Sequence, residues 1–446
     1  MIPYKRLCFL LCCTPFIVGC WDNLELEERG FVTGIAIDFA NSENLSPSKS
    51  DEQNSQTPGQ NEQQPNSNEQ KGQNQQETPL EKDERVHNHE QDEDKQMNEN
   101  NKYKLTQQLI NPSNLSSSES NKNSSSMSKA YRNLYQTGDT IIEMNRDMIK
   151  QAGRRTNVTH LDIVLFSEAV AQEEHLFADL MDIFLREKEM LRSVKIAITK
   201  NHASDYLNIL PESEKIPSRY IEKVLQNKSN LDIAQPLTAG NVQSYLLSKK
   251  SFIIPIINQV NDTTINYEGL SVYSGAQSKV VGHLIGDEAK GINMIKTKNQ
   301  TGTTNLKIDG HDVTFEILEI KSKTSFKPNN KNKFHFKIVI DVEAGIAEQY
   351  GSLDIMNEKN YVKLKTALEK DIKKITTNTI SILQNDFKTD VIGLGEHLYQ
   401  HNYRLWESIK SDWEEGQLYF QKSKVDVNVN VTIEKPGNII KSHEEG

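Results

Sequence analysis

Few side chains in this sequence combine the type and the spacing needed for chemistry, and the thiols come first. All four cysteines, Cys8, Cys12, Cys13 and Cys20, fall within the first twenty of 446 residues, so the rest of the chain holds no possible disulfide or thiolate metal site. A thiol confined to the leader belongs to targeting. Histidines come next. His397 and His401 stand at i and i+4, a spacing that puts two zinc ligands on one helical face in metallopeptidases. Leu398 occupies the position of the glutamate base and Glu396 comes one residue too early, so the pair reads as solvated or capping histidines. His87 and His89 sit among Glu90, Asp92, Glu93 and Asp94, where holding a divalent cation would cost a polar tract its freedom; a solvated tether is expected. Gly393-Leu394-Gly395 lacks the third glycine and the preceding strand of a dinucleotide fingerprint, and reads as a turn ahead of the helix carrying His397. Trp406 and Trp413, seven residues apart, can share a helical face, with core packing as the expectation. Asp182 and Arg186, at i and i+4, make at most a weak surface ion pair. No Ser/His/Asp order and no paired carboxylates stand out, so no catalytic residue, catalytic substrate, cofactor or metal site is expected.

The leader explains the thiols. Lys5 and Arg6 form a short basic region, residues 7–18 an apolar stretch, and Gly19 supplies the small residue that a signal peptidase needs. The stretch falls short of the roughly twenty apolar residues of a bilayer-spanning helix. Ile17-Val18-Gly19-Cys20 resembles the lipobox of bacterial lipoproteins, whereas Cys12 and Cys13 lack a small residue before them. The resemblance implies that residues 1–19 are a signal peptide and that Cys20 is the lipidation site and the new N-terminus. It would carry a diacylglyceryl group of palmitate type. Each buried methylene contributes about 0.8 kcal/mol, and two chains anchor stably where one is marginal.

Composition bounds the partners. The formal net charge of −10 argues against nucleic acid or anionic lipid headgroups as the main partner, since both need a basic face. The length suffices for two or three domains with real cores. No later stretch is long and apolar enough to cross a bilayer.

The positioning elements are those of an α+β fold in three mixed α/β domains. Residues 20–208 read as an N-terminal α+β domain carrying two disordered polar insertions, 41–102 and 111–128, which cannot bury enough apolar surface to offset their ordering entropy. Around them, residues 31–38, 103–110 (YKLTQQLI), 161–166 (LDIVLF) and 194–199 (VKIAIT) are predicted strands, the third buried on both faces. Thr140 offers an N-cap for a helix beginning at Ile141, and residues 175–191 have helical periodicity. Residues 209–262, with helices at 218–226 and around 240–248 before FIIPII, form a small middle domain or connector. Residues 263–440 form a C-terminal α+β domain. Phe334, Phe336, Ile338, Ile340 and Val342 alternate with mostly polar residues, as do Val425, Val427, Val429, Val431 and Ile433, which predicts an antiparallel sheet with one face buried. A long amphipathic helix over 361–385 is expected to pack across that face.

At this point the chain resembles the Ger(x)C family, the lipoprotein C subunit of spore germinant receptors. Cys20-Trp21-Asp22, Glu25-Leu26 and Val32-Thr33-Gly34-Ile35-Ala36-Ile37-Asp38 are similar to the family's opening pattern. Residues 182–186 (DIFLR) leading into 194–203 resemble a family helix and strand. Asp390-Val391-Ile392-Gly393-Leu394-Gly395, Trp406, Trp413 and VDVNVNVTI are similar to its closing pattern. The insertion at 41–102 departs from it. The resemblance implies three α/β-type domains and a non-enzymatic, membrane-anchored subunit on the outer face of the spore inner membrane. It would act with two membrane-embedded partners, the receptor A and B subunits, in nutrient-triggered germination. The competing reading is an extracytoplasmic solute-binding lipoprotein delivering a small molecule to a transporter, a class that shows two similar lobes; here the first and last domains pattern differently.

Overall fold

The computed structural model describes residues 29–40, 102–111, 114, 129–227, 230–296, 301–329, 333–350 and 357–434. The leader 1–19, Cys20, Trp21, His87, His89 and almost all of the two expected insertions lie outside these residues.

Strand β1 (Arg29–Phe39) pairs antiparallel with β2 (Tyr103–Ile110), and β2 with β3 (Tyr131–Gly138). The Ala40 amide donates to the Lys102 carbonyl at 3.1 Å and the Asn111 amide to the Ala130 carbonyl at 2.8 Å. Each polar run thus separates two adjacent strands whose ends already meet, a junction that tolerates long insertions because closure entropy grows only logarithmically. β2 was legible end to end. β3 was not expected as a strand.

Helix α1 (Ile141–Ala152) starts where Thr140 accepts a hydrogen bond from the Glu143 amide, and stops at Gly153 in the left-handed region. Short β4 (Arg155–Asn157) pairs with the start of β1. Then come β5 (Ile163–Ser167), α2 (Glu168–Gln172), α3 (Leu176–Arg186) and β6 (Lys195–Thr199). The helix expected over 175–191 ends at Arg186. All five residues of β5 are buried, as its continuous apolar run requires of a parallel strand covered on both faces. After α4 (Ala203–Tyr206), α5 (Pro217–Gln226) and α6 (Ala239–Leu247), the chain returns through β7 (Phe252–Asn261), β8 (Thr264–Ser274) and β9 (Lys279–Ile285).

Among the described residues these strands make one nine-stranded sheet in the order β3-β2-β1-β5-β6-β7-β8-β9, with β4 beside β1. β1, β5, β6 and β7 run parallel; antiparallel pairs flank them. Residues 209–262 therefore hold the crossover into β7 and β7 itself. The limit expected between 262 and 263 falls in the turn of the β7–β8 hairpin, whose strands pair from Phe252 with Tyr273 to Asn261 with Thr264.

Helix α7 (Asp287–Lys296) leads to a second sheet of four strands, β10 (Gly302–Ile308), β11 (His311–Asn329), β12 (Lys333–Gln349) and β13 (Lys424–Ile433). The expected long helix is α8 (Glu358–Ile382), which buries Leu364, Leu368, Ile372, Ile375 and Ile380 against the sheet's alternating apolar face. β10, β11 and β12 are an antiparallel meander, as expected, but β13 pairs parallel to β12, from His335 with Lys424 to Ala344 with Ile433. The reason is the connection: a strand reached through a helix crossover can return in the same direction, whereas a hairpin reverses it. Between α8 and β13 lie α9 (Leu394–His401), α10 (Tyr403–Ile409) and α11 (Tyr419–Lys422).

One face of the first sheet, with Ile35, Ile37, Val164 and Phe166, packs under α1 and α3. The opposite face, with Ala36, Ile163 and Leu165, belongs to the same apolar cluster as Phe336, Ile338 and Leu368 of the second sheet. The two sheets share a core.

Candidate functional site

The residues of the closing pattern converge where the two sheets meet. α8 ends in a wide turn, Leu383–Phe387, with Lys388 in the left-handed region, and the chain then presents Asp390. Its carboxylate accepts four hydrogen bonds. Oδ1 takes the amides of Gly393 (2.8 Å) and Leu394 (3.1 Å), while Oδ2 takes the Gly395 amide (2.6 Å) and the Trp413 indole (2.9 Å). The opening amides of a helix have no partner within it, and here one carboxylate satisfies those of α9 while its charge complements the helix dipole.

Both glycines of Gly393-Leu394-Gly395 are required, for different reasons. Gly393 has φ +88°, where a side chain strains the backbone. A Cβ on Gly395 would stand 2.8 Å from ring carbons of Trp406 and 3.0 Å from Trp413 Nε1. Sequence led to a turn ahead of the histidine helix; Gly393 is its N-cap, while Leu394 and Gly395 already form its first turn. Trp406 and Trp413 do not share one continuous helix, because α10 ends at Ile409 in a tight turn. Their rings nevertheless meet edge to face at 5.8 Å, and buried Trp413 also meets Phe334 at 5.8 Å, contacts that add to area burial.

Glu414 extends this hub to the first sheet. Oε1 accepts from the Asp390 amide at 2.8 Å and Oε2 from the Ser251 hydroxyl at 2.6 Å; Ser251 Oγ in turn accepts from the Gly275 amide at 2.9 Å. Beside it, Lys250 pairs with Glu396. Lys296, at the end of α7, donates to the Val391 carbonyl at 2.5 Å. Burial pushes the Glu414 carboxyl up to about 7, and the neighbouring Asp390 charge adds to the rise. Burial lowers Lys296, against the pull of Asp390 and Glu396. The Asp390 oxygens are occupied by donors from its own chain, so this arrangement fastens segments together.

Asp38 does the same for the opening pattern. It closes the TGIAID strand, is buried, and accepts from the Ala203 amide at 2.6 Å and the Ser204 amide at 3.0 Å. Burial raises its carboxyl, opposed by those two bonds. Sequence reading quoted Asp38 and Asp390 without assigning them a task, and it missed Glu414, Ser251 and Lys296, whose partners lie far away along the chain.

Elsewhere, His397 and His401 share α9 with stacked rings at 4.3 Å, and His401 Nδ1 lies 3.0 Å from the His397 carbonyl. Burial and the His401 charge lower His397. Among the described residues no group of three or more His, Cys, Asp and Glu could hold a metal. Arg186 Nε sits 2.6 Å from Asp182 Oδ2 on an exposed surface, where such pairs contribute little. One Ser/His/acid line does exist: Ser271 Oγ lies 3.0 Å from His283 Nδ1, and His283 Nε2 lies 2.7 Å from Glu168 Oε1. The bond to His283 lowers the Glu168 carboxyl. Ser271 is fully buried on β8, so its hydroxyl cannot meet a substrate, and the line ties α2 to the strands β8 and β9.

Comparison with known proteins follows the same two regions. Residues 93–259 match the family described as spore germination protein N-terminal domain, and residues 268–437 the family described as spore germination B3/GerAC like, C-terminal. The gap between the two matches brackets the β7–β8 turn. Spore germination protein YndF of Bacillus subtilis (strain 168) is 26% identical over 445 residues, covering 97% of this chain and 96% of that protein. Spore germination protein A3 of the same organism is 23% identical, with 96% of each chain covered, and spore germination protein B3 is 26% identical over 70% of this chain and 82% of that protein. The crystal structure of the GerBC protein matches with a TM-score of 0.52 at 21% identity, covering 74% of this chain and 93% of that chain, a likeness of fold. With both halves matched in order, the chain belongs to the GerAC-like family of spore germination proteins.

Proposed function

We propose that this chain is a lipid-anchored, non-enzymatic subunit of a nutrient germinant receptor complex, required for the germination response of the spore. The observation that carries the reading is the order along the chain: a lipobox-like Ile17-Val18-Gly19-Cys20 lies N-terminal to two matched regions, residues 93–259 and 268–437. Among the described residues no helix is long and apolar enough to cross a membrane; in this reading the acyl chains on Cys20 supply the anchor. Confinement to the outer face of the spore inner membrane raises the effective concentration of the chain toward the membrane-embedded A and B subunits. The hub at Asp390 supports a role by contact, since it joins the two sheets into one body that can present a fixed surface. The two sheets differ in strand number and direction, which does not favour the paired lobes of a solute-binding protein.

Co-purification tests the reading. From detergent-solubilised spore membranes, this chain is expected to bring down the A and B subunits of one receptor, and deletion of its gene to abolish one nutrient response. A chain recovered without them, in spores that germinate normally when it is absent, contradicts it.

A further inference from the structure

A groove of about 460 Å³ lies at one end of the second sheet, within the range of small-ligand sites and apart from the Asp390 hub. Lys327 of β11, His335 and Lys337 of β12, Lys373 of α8, and Asp426 and Asn428 of β13 line it. Strand pairing sets Lys327 opposite His335, and His335 opposite Lys424, so three basic side chains stand in one row across the sheet. Like charges in such a row destabilise it. Asp426 relieves part of this: its Oδ2 lies 2.5 Å from His335 Nε2 and 3.2 Å from Lys424 Nζ. That carboxylate is thereby used up, and Lys327, Lys337 and Lys373 have no ion-pair partner among the described residues.

We propose that this groove is an anion site that takes a phosphate-bearing group. Three lysines converging from a sheet and a helix offer separated point charges, which suit phosphate oxygens spread in space. A single carboxylate would neutralise one of them. The Asn428 side-chain oxygen accepts from Lys337 Nζ at 3.3 Å and steadies that lysine at the groove. The net charge of −10 does not oppose such a site, because distant charges are screened beyond a Debye length of about 8 Å at physiological salt. Two sources present this chemistry, a soluble phosphate and the headgroup of an anionic lipid.

The experiment uses the full chain carrying Cys20→Ser, so that no acyl chain contributes, beside the same chain with Lys327→Gln, Lys337→Gln and Lys373→Gln. These side chains are exposed or half-buried, and their replacement leaves the core intact. Inorganic phosphate and pyrophosphate are titrated by calorimetry; vesicles of phosphatidylglycerol and of phosphatidylcholine are tested by sedimentation. Saturable pyrophosphate binding lost in the triple variant, without vesicle preference, supports the site and assigns a soluble source. Preference for phosphatidylglycerol, weakened about fivefold for each lysine removed, supports it and assigns a headgroup. If the triple variant and its parent behave alike toward every probe while melting alike, the proposal is overturned.

Discussion

Asp390→Ala is expected to lower stability by about 3–5 kcal/mol, because it strands the Trp413 indole and three backbone amides that have no other acceptor. Those donors sit in a region where Asp390 is 8% exposed and Trp413 3%, so water cannot replace the carboxylate without opening the packing of Trp413 on Phe334. Asp390→Asn keeps one acceptor oxygen but turns an amide toward donors, and should lose an intermediate amount. Urea unfolding followed by tryptophan fluorescence reads this directly, since Trp406 and Trp413 report from the hub. An unchanged midpoint for Asp390→Ala would remove the hub from the account.

The second large effect depends on pH. The Glu414 carboxyl, ordinarily near 4.5, is pushed up to about 7 in the fold. Between those values the folded chain binds more protons than the unfolded chain, so stability falls as pH rises. The contribution is fully present below about pH 4.5, and about 3 kcal/mol of it is lost once the pH passes 7. Glu414→Gln retains a carbonyl for the Asp390 amide and an amide for Ser251 Oγ, yet cannot ionise. Relative to the parent, it should therefore gain about 2–3 kcal/mol on going from pH 5 to pH 8. Lys296 and Glu415 are left in place, so a parallel pair of pH profiles would mean that Glu414 ionises without cost and that its burial is not tight.

The elements that were legible in the sequence are those whose burial writes a period into it. YKLTQQLI became β2 without a change of limits, and the spacing of Leu364, Leu368, Ile372 and Ile375 placed α8 to within a few residues of its ends. The direction of β13 left no trace, because VDVNVNVTI alternates identically whether the strand runs parallel or antiparallel to its neighbour. β3 was missed because Tyr131, Leu134 and Tyr135 follow no period of two, as an edge strand allows. β8 hid for another reason: Ser271 and Ser274 are buried there, which breaks the apolar run a covered strand usually shows. The limit expected between Asp262 and Thr263 falls where the chain turns a hairpin inside one sheet. At the hub, sequence supplied the residue types but not the distances. The turn at Gly393 could be read from neighbouring residues, whereas Ser251 and Glu414 meet across 163 positions, a contact that only the packing of two sheets creates.

The central claim is that the chain is held at a membrane by its first mature residue. Mass spectrometry of the N-terminal peptide, taken from the protein extracted from spore membranes, tests this most directly. The account predicts a peptide beginning at Cys20 and heavier by a diacylglyceryl group on sulfur; a bare Cys20 thiol, or a peptide that still carries residues 1–19, would contradict it.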